Sequence, residues 1–191
     1  MGRRPAVLFA SPSLAFVLTL ILTGGPSTPA LPRPAPPTGL TFPREEHGAC
    51  PFECCWYGGW VARRGLTARR DRTAEAPAAF RIAGGEAVQA LTGVVVTTRP
   101  GRARALAPLG LGGVTLAPGD EVPVLRYAGE GVWIVWAGGR PLGVEGEAAG
   151  GRLRVLVTPR AVWWVQIRNR RGEVGWSDQP DLFDGRDRCG S

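Results

Sequence analysis

The segment from Val162 to Trp176 constrains the fold more than any other part of the chain. Its letters, VWWVQIRNRRGEVGW, place an alternating apolar run before a polar turn at 169–172 and a short closing strand. Alternation with a period of two is typical of a strand with one buried face. The two faces are Trp163, Val165 and Ile167 on one side, and Trp164, Gln166 and Arg168 on the other. The segment therefore predicts a β-hairpin.

Short runs of the same kind fill most of the chain before this hairpin. Alternating or β-rich runs occur at 80–82, 88–96, 122–127, 132–136 and 153–157, and 28 glycines punctuate the chain. No stretch of the sequence shows helical periodicity. Many short strands separated by glycine-rich turns predict an all-β protein built as a small barrel or sandwich. Gly93 is predicted to mark a β-bulge.

Two sequence echoes indicate a repeated unit. Gly85–Leu91 matches Gly119–Leu125 at a glycine, an acidic residue, a valine and a leucine, and Val132–Val135 matches Val162–Val165. Repetition of a turn followed by a strand indicates two related sheet modules. Chance similarity in a chain rich in glycine and valine is the alternative.

The N-terminus has the layout of a secretory signal peptide. Arg3 and Arg4 precede a mostly apolar run, and Thr28–Ala30 offers small residues for cleavage. We predict a signal peptide at 1–30, cleaved near Ala30, and a proline-rich linker at 31–48. An uncleaved anchor helix is the alternative, but it needs about 20 apolar residues and this run is shorter. The mature protein is expected in the periplasm or outside the cell, without a membrane span.

The basic residues are all arginine. There are 23 of them, and the formal net charge is +7. Such a charge could attract nucleic acid. The arginines are scattered between acidic residues, however, and an exported protein rarely meets nucleic acid. We therefore expect no nucleic-acid partner, and at most a weak attraction to an anionic cell envelope.

The chain contains four cysteines, Cys50, Cys54, Cys55 and Cys189. An even number of cysteines in an exported chain indicates disulfides. A bridge between the neighbours Cys54 and Cys55 would be strained. Cys189 is therefore expected to pair with Cys54 or Cys55, and Cys50 with the other. The alternatives are a metal site that includes His47 and a redox-active thiol, but the spacing fits neither pattern. We predict no metal and no cofactor.

Catalytic constellations are hard to assemble from this sequence. After residue 30 the chain has one histidine, His47, and two serines, Ser177 and Ser191, so a nucleophile with a base beside it is not indicated. The candidate carboxylates lie at apparent turns or strand edges and are Glu121, Glu130, Glu145 and Glu147. No two of them stand out as a catalytic pair. We predict that the protein is not an enzyme; a thiol-dependent or wall-degrading hydrolase is the alternative.

These motifs resemble those of the bacterial Src-homology-3-like family. Arg69–Leu91, ending in GEAVQAL, resembles the first half of such a module, and WWVQIRNRRGEVGW resembles the second half. Gly119–Glu145 resembles a compact module of its own, and the two halves lie further apart than is usual in the family. The resemblance implies one barrel in a domain at 49–191, with a second β module inserted at roughly 105–158. Two tandem modules are the alternative.

The resemblance also implies a binding function. Src-homology-3-like folds bind extended peptides in grooves lined by aromatic residues. The expected ligand-binding residues are Trp164, Gln166 and Arg168, with Trp136 and Tyr127 as weaker candidates. The sequence thus predicts an exported, non-catalytic module that docks an extended peptide or a cell-wall ligand. A structural envelope protein that packs against a partner or its own copies is the alternative, and the oligomeric state stays open.

Overall fold

β-Strands make up nearly all of the regular structure. The computed structural model describes residues 39–189, so the predicted signal peptide and the first part of the predicted linker lie outside the described residues. The strands of this range are β1 Arg44–His47, β2 Gly59–Ala62, β3 Leu66–Arg69, β4 Ala78–Ile82, β5 Ala87–Arg99, β6 Gly101–Ala105, β7 Leu109–Leu111, β8 Val114–Leu116, β9 Glu121–Gly129, β10 Val132–Ala137, β11 Arg140–Glu145, β12 Leu153–Val157, β13 Arg160–Arg168, β14 Val174–Ser177 and β15 Phe183–Asp184. The helical elements of the same range are two 3-10 turns, Glu147–Ala149 and Pro180–Leu182. The predicted all-β fold class is confirmed.

Neither of these turns approaches the length of a membrane span. Within residues 39–189, no helix is both long enough and apolar enough to cross a bilayer.

The larger sheet has eight strands and curls into a half-barrel. Its order is β15-β2-β5-β13-β14-β3-β4, and β1 pairs with β5 as well. β5 is 13 residues long, so β2 pairs with residues 87–89 and β1 with residues 94–97, while β13 runs along most of the strand. The half-barrel core consists of Trp60, Ala62, Leu66, Ala68, Phe80, Ile82, Val88, Ala90, Val165, Ile167 and Phe183.

The hairpin of β13 and β14 forms as the sequence predicts. Gln166 pairs with Trp176, and residues 169–173 form the turn between the strands. Val165 and Ile167 are fully buried in the half-barrel core. Burying a side chain of this size stabilises the fold by about 1.5–3 kcal/mol relative to leaving it exposed. The apolar alternation therefore decides which side of β13 faces inward.

The second sheet is built from residues between β5 and β13. Its order is β11-β10-β9-β6-β12, and the separate hairpin of β7 and β8 packs against its core. The chain thus leaves the half-barrel after β5, forms this inserted sheet, and returns to pair β13 with β5. The core of the inserted sheet consists of smaller side chains, namely Ala103, Leu111, Val122, Val124, Val135, Ala137, Val144 and Leu153.

Gly93 does not mark a bulge. It pairs in register with β13, and the irregularities of β5 lie beside Leu91 and Thr98. A Cβ atom at position 93 would overlap the Tyr57 hydroxyl and the Trp163 indole nitrogen. The prediction of a bulge at Gly93 is therefore wrong. A residue without a side chain is needed here because two aromatic side chains lie close to the strand backbone.

The last residues of the predicted linker belong to the half-barrel. Arg44–His47 forms β1 and pairs antiparallel with residues 94–97 of β5. Its sequence, REEH, contains no apolar residue, so no strand pattern is visible in it. Pairing with a long neighbouring strand holds this segment in place. The predicted boundaries, a linker ending at 48 and a domain beginning at 49, are wrong for this reason.

Two disulfides involve the segment between β1 and β2: one lies within it, and the other joins it to Cys189. Cys50 pairs with Cys55, and Cys54 pairs with Cys189, with Cα–Cα distances of 5.5 and 5.3 Å. Cys189 thus takes one of the two partners that the sequence allows. The second bridge joins residues 135 positions apart. A loop of that length contributes on the order of 4–5 kcal/mol in the chain-entropy model.

Candidate functional site

The outer face of β13 carries three of the five predicted ligand-binding residues. Trp164, Gln166 and Arg168 alternate along the strand on the side opposite Val165 and Ile167. Arg168 is exposed and Gln166 is half-buried, but Trp164 is only 5% exposed. The expectation that Trp164 is an exposed docking residue is wrong.

Arg72 contacts two residues that flank Trp164 on this face of the sheet. Its guanidinium donates two hydrogen bonds to the Glu45 carboxylate, at 2.8 and 2.7 Å, and lies 4.9 Å from the centre of the Trp176 ring. On this face, Glu45 of β1 is aligned across β5 with Val162, two residues before Trp164 on β13. Trp176 of β14 pairs with Gln166, two residues after Trp164. The two contacts of Arg72, with Glu45 and Trp176, therefore lie on either side of Trp164.

Trp136 is also buried, and Arg44 of β1 contacts its ring. The ring is 6% exposed, and the Arg44 guanidinium lies 4.5 Å from its centre. Glu46, two positions further along β1, forms a bidentate ion pair with Arg126 of β9. Successive side chains of β1 therefore contact the inserted sheet on one face and Arg72 on the other. The expectation that Trp136 lines an exposed groove is wrong, because β1 occupies that side of the sheet.

Tyr127 is exposed, but it belongs to the inserted sheet. It is 42% exposed, its ring makes an edge contact with Trp133 at 5.0 Å between centres, and its hydroxyl accepts a hydrogen bond from the Gly131 N–H at 2.8 Å. Gln166 and Arg168 lie in the half-barrel sheet instead. The five predicted residues thus divide into two buried tryptophans, one separate tyrosine and two neighbours on β13.

Beyond Trp164, the face of β13 opens onto a row that crosses four strands. Gly59 of β2 pairs with Gln89 of β5, Gln89 pairs with Arg168, and Arg168 pairs with Val174 of β14. Directly paired residues of antiparallel strands point to the same side of the sheet. All four residues are exposed. We name Gly59, Gln89, Arg168 and Val174 the open row.

A shallow depression of about 270 Å³ lies beside the open row. Its lining includes Gly59, Gln89 and Arg168 of the row, Ala87 of β5, and Arg170 of the hairpin turn. No acidic side chain of the described residues lines it. Within residues 39–189, neither Arg168 nor Arg170 has an ion-pair partner. The depression is therefore accessible and positively charged.

The turn that carries Arg170 is held by the buried side chain of Asn169. Its carboxamide oxygen accepts hydrogen bonds from the backbone N–H groups of Arg171 and Glu173, both at 3.0 Å. Its NH₂ group donates to the Glu173 carboxylate at 2.7 Å. That hydrogen bond, followed by the one from Arg171, holds the pKa of Glu173 below its ordinary value. The hydrogen bonds fix the backbone that presents Arg168 and Arg170.

Sequence reasoning missed three members of the open row. Val174 could be found from the sequence, because the short turn fixes the register of β13 against β14. Gln89 and Gly59 could not, because their alignment with Arg168 depends on pairing between strands that are distant in the chain.

Histidine, serine and cysteine side chains lie apart from this row. His47 on β1 and Ser177 on β14 are separated by β5 and β13, and Ser177 is 2% exposed. Glu53, Cys54 and Cys189 come together, but both sulfurs belong to a disulfide and offer no thiolate. The chemistry that the open row itself supports is hydrogen bonding and charge pairing.

Comparison with known proteins gives no relative from which a function could be transferred. No family model matches the chain, and neither curated proteins nor solved structures give a significant match. The functional conclusion therefore depends on the geometry and chemistry of the site.

Proposed function

We propose that this protein is an exported, non-catalytic binding module that docks an extended peptide or a cell-wall ligand at the open row. Two disulfides support export, because such bonds form and persist outside the reducing cytosol. The signal-peptide pattern of residues 1–30 supports the same compartment.

The strand order supports a Src-homology-3-like architecture for the half-barrel. Strands β15, β2, β5, β13 and β14 are neighbours in this order, and the 3-10 turn Pro180–Leu182 directly precedes β15. This order and this turn are those expected of a Src-homology-3-like barrel. On this proposal, the hairpin of β3 and β4 is the long loop after the first barrel strand, and the inserted sheet extends the loop after the second.

The accessibility of the open row is the observation that carries the proposal. Val174 is 45% exposed, and Val61, on the same face of β2, is 41% exposed. Between them lie the hydrogen-bonding side chains of Gln89 and Arg168. Apolar contact beside a few polar groups is the usual composition of a ligand site. Extended peptides are recognised on such surfaces by side-chain pockets and fixed polar partners.

A charge placed on the open row tests this proposal. We expect Val174→Asp to weaken ligand binding by at least about tenfold, because the new carboxylate pairs with Arg168 and competes with the ligand. The measurement is an NMR titration of the purified, oxidised protein with peptidoglycan fragments and with a proline-rich peptide. Val114→Asp is the matched control, since Val114 is a comparably exposed valine, at 39%, on β8 of the inserted module.

Two outcomes would contradict the proposal. Binding that is unchanged by Val174→Asp would remove the open row as the site. Equal weakening by Val174→Asp and Val114→Asp would show that the loss comes from added charge and not from position.

A structural envelope protein is the second candidate, favoured by an exposed edge of the inserted sheet. Leu156 and Val157 of the edge strand β12 are 37% and 40% exposed. An apolar sheet edge is a surface on which a second copy can pair. Self-association predicts a concentration-dependent dimer in sedimentation velocity that Leu156→Lys abolishes. A monomer at every concentration would exclude this candidate.

A further inference from the structure

We infer that the depression beside the open row binds the terminal carboxylate of an extended peptide. This inference rests on the proposed function and names the group that the ligand must carry. It depends on the charges, the shape and the surroundings of the depression.

Two arginines that have no acidic partner among residues 39–189 line the depression. Arg168 and Arg170 line it, and neither is ion-paired within residues 39–189. Arg171, in the same turn, is paired with Glu173 at 2.8 Å. Guanidinium groups bind carboxylates through two parallel, charge-assisted hydrogen bonds. A carboxylate from a ligand is thus the complement that Arg168 and Arg170 lack.

Glu86 and Glu173 are the acidic residues nearest in sequence to the depression, and Asp184 is near it through strand pairing; all three are engaged elsewhere. Glu86 accepts a hydrogen bond from the backbone N–H of Ala83 at 2.9 Å. Asp184, which pairs with Val61 on the neighbouring part of the face, accepts a hydrogen bond from Arg63 at 2.7 Å. A ligand carboxylate therefore meets little competition from the protein's own acids.

Gly59 leaves open space at one side of the depression. A Cβ atom built on Gly59 would meet no atom within 4 Å, so the space above this residue is open. The volume of about 270 Å³ is below the roughly 300–1,000 Å³ that holds a complete small-molecule ligand. It suits the last residue of a chain, whose preceding residues can then lie on the exposed Val61 and Val174.

A pair of matched peptides tests the inference. The probes are acetyl-Val-Ala-Val with a free C-terminal carboxylate and the same peptide with a C-terminal amide, each titrated into the full oxidised protein by NMR. We expect the free carboxylate to bind at least about tenfold more tightly than the amide, because only the carboxylate forms charge-assisted bonds to Arg168 and Arg170. Inorganic phosphate is titrated in a third arm.

Substitutions at the site distinguish charge from shape. Arg168→Gln and Arg170→Gln should each weaken binding of the carboxylate peptide about tenfold, whereas Arg81→Gln, at an exposed residue of β4, should not. Gly59→Val should block the peptide without removing a charge. Gly110→Val on β7 is its control, because a Cβ atom at Gly110 also meets nothing within 4 Å.

The outcomes separate this inference from the proposed function. If the amide binds as tightly as the carboxylate and Val174→Asp weakens both, the binding module stands and the carboxylate inference fails. If phosphate displaces the peptide with equal affinity, the depression is a general oxyanion site and the inference is again overturned. If neither these peptides nor wall fragments bind the unmodified protein, both proposals fail.

Discussion

The two ends of the outer face of β13 differ in what lies across them. At the covered end, Trp164 is 5% exposed, and Arg72 contacts Glu45 and Trp176 on either side of it. At the open row, Arg168 is exposed, and Val174 beside it is 45% exposed. Both ends belong to the same face of the same strand, so the direction of a side chain does not by itself make it accessible.

The covered end depends on contacts between segments that are distant in the chain. β1 supplies Glu45, and the loop after β3 supplies Arg72. At the open row, Arg168 and Val174 flank a hairpin turn whose hydrogen bonds are local, within residues 169–173, whereas Gln89 and Gly59 join the row through long-range strand pairing. Contacts between distant segments therefore surround Trp164 at one end of the β13 face, while a local turn lies beside the exposed Arg168 at the other end.

The largest expected effect is the removal of a tryptophan from the covered end. Trp164→Ala should lower the free energy of unfolding by about 3–5 kcal/mol, because it leaves a cavity where a buried indole lies. Trp176→Ala should cost about 1–2 kcal/mol, since that ring is only half-buried and its main described partner is the Arg72 guanidinium. The measurement is guanidinium chloride unfolding without reductant, followed by far-UV circular dichroism. Equal costs for the two variants would mean that Trp164 is no better covered than Trp176.

A smaller loss of stability is expected from removing the ion pair between Arg72 and Glu45. Arg72→Met or Glu45→Gln should lower the free energy of unfolding by about 1 kcal/mol, because each removes a partly exposed ion pair in which one guanidinium nitrogen contacts both carboxylate oxygens. Each should also speed hydrogen exchange at the Trp164 indole N–H, measured by ¹⁵N NMR. Arg70→Met is the control, since Arg70 lies in the same loop and its side chain makes one weak hydrogen bond within residues 39–189, to the Ala78 carbonyl at 3.5 Å. Unchanged exchange at Trp164 in both variants would assign its burial to other residues.

The smallest effect is a pH dependence confined to the open end. The pKa of Glu173 is lowered by its hydrogen bond from Asn169, so the ionised carboxylate stabilises the turn at pH values above its ordinary pKa of 4.5. This contribution should be lost as the pH falls below that value and through the lower pKa of the folded state. The Asn169 side-chain NH₂ resonances should follow this titration in the unmodified protein. In Glu173→Gln they should not titrate; a persisting transition would assign the pKa shift to another group.

Local pattern explains the parts of the fold that the sequence predicts well. The hairpin of β13 and β14 has adjacent strands and a short turn, so alternation alone places Val165 and Ile167 in the core. The same alternation correctly groups Gln166 with Arg168 on one face. β1 is not predicted from the sequence because REEH contains only polar and charged residues, whereas the usual strand pattern contains apolar residues.

The errors at the candidate site follow from that missed strand. Without β1, nothing in the sequence brings Arg44 over Trp136 or ties Arg72 to Glu45, so both Trp136 and Trp164 are expected to be exposed. Gln89 reaches Arg168 only through the pairing of β5 with β13, with the whole inserted sheet between them in the chain. Pairing of this kind is not encoded in any single local pattern.

The amino-acid sequence by itself determines that this chain forms short strands and which side of β13 faces the core, because side-chain direction alternates with a period of two. It also limits the partner of Cys189 to two neighbouring cysteines, since geometry disfavours the bridge between those neighbours. Only the tertiary structure decides which outward-facing residues meet solvent. That choice depends on contacts between segments distant in the chain: Trp164 is buried between the two partners of Arg72, Glu45 and Trp176, while Arg168 remains accessible.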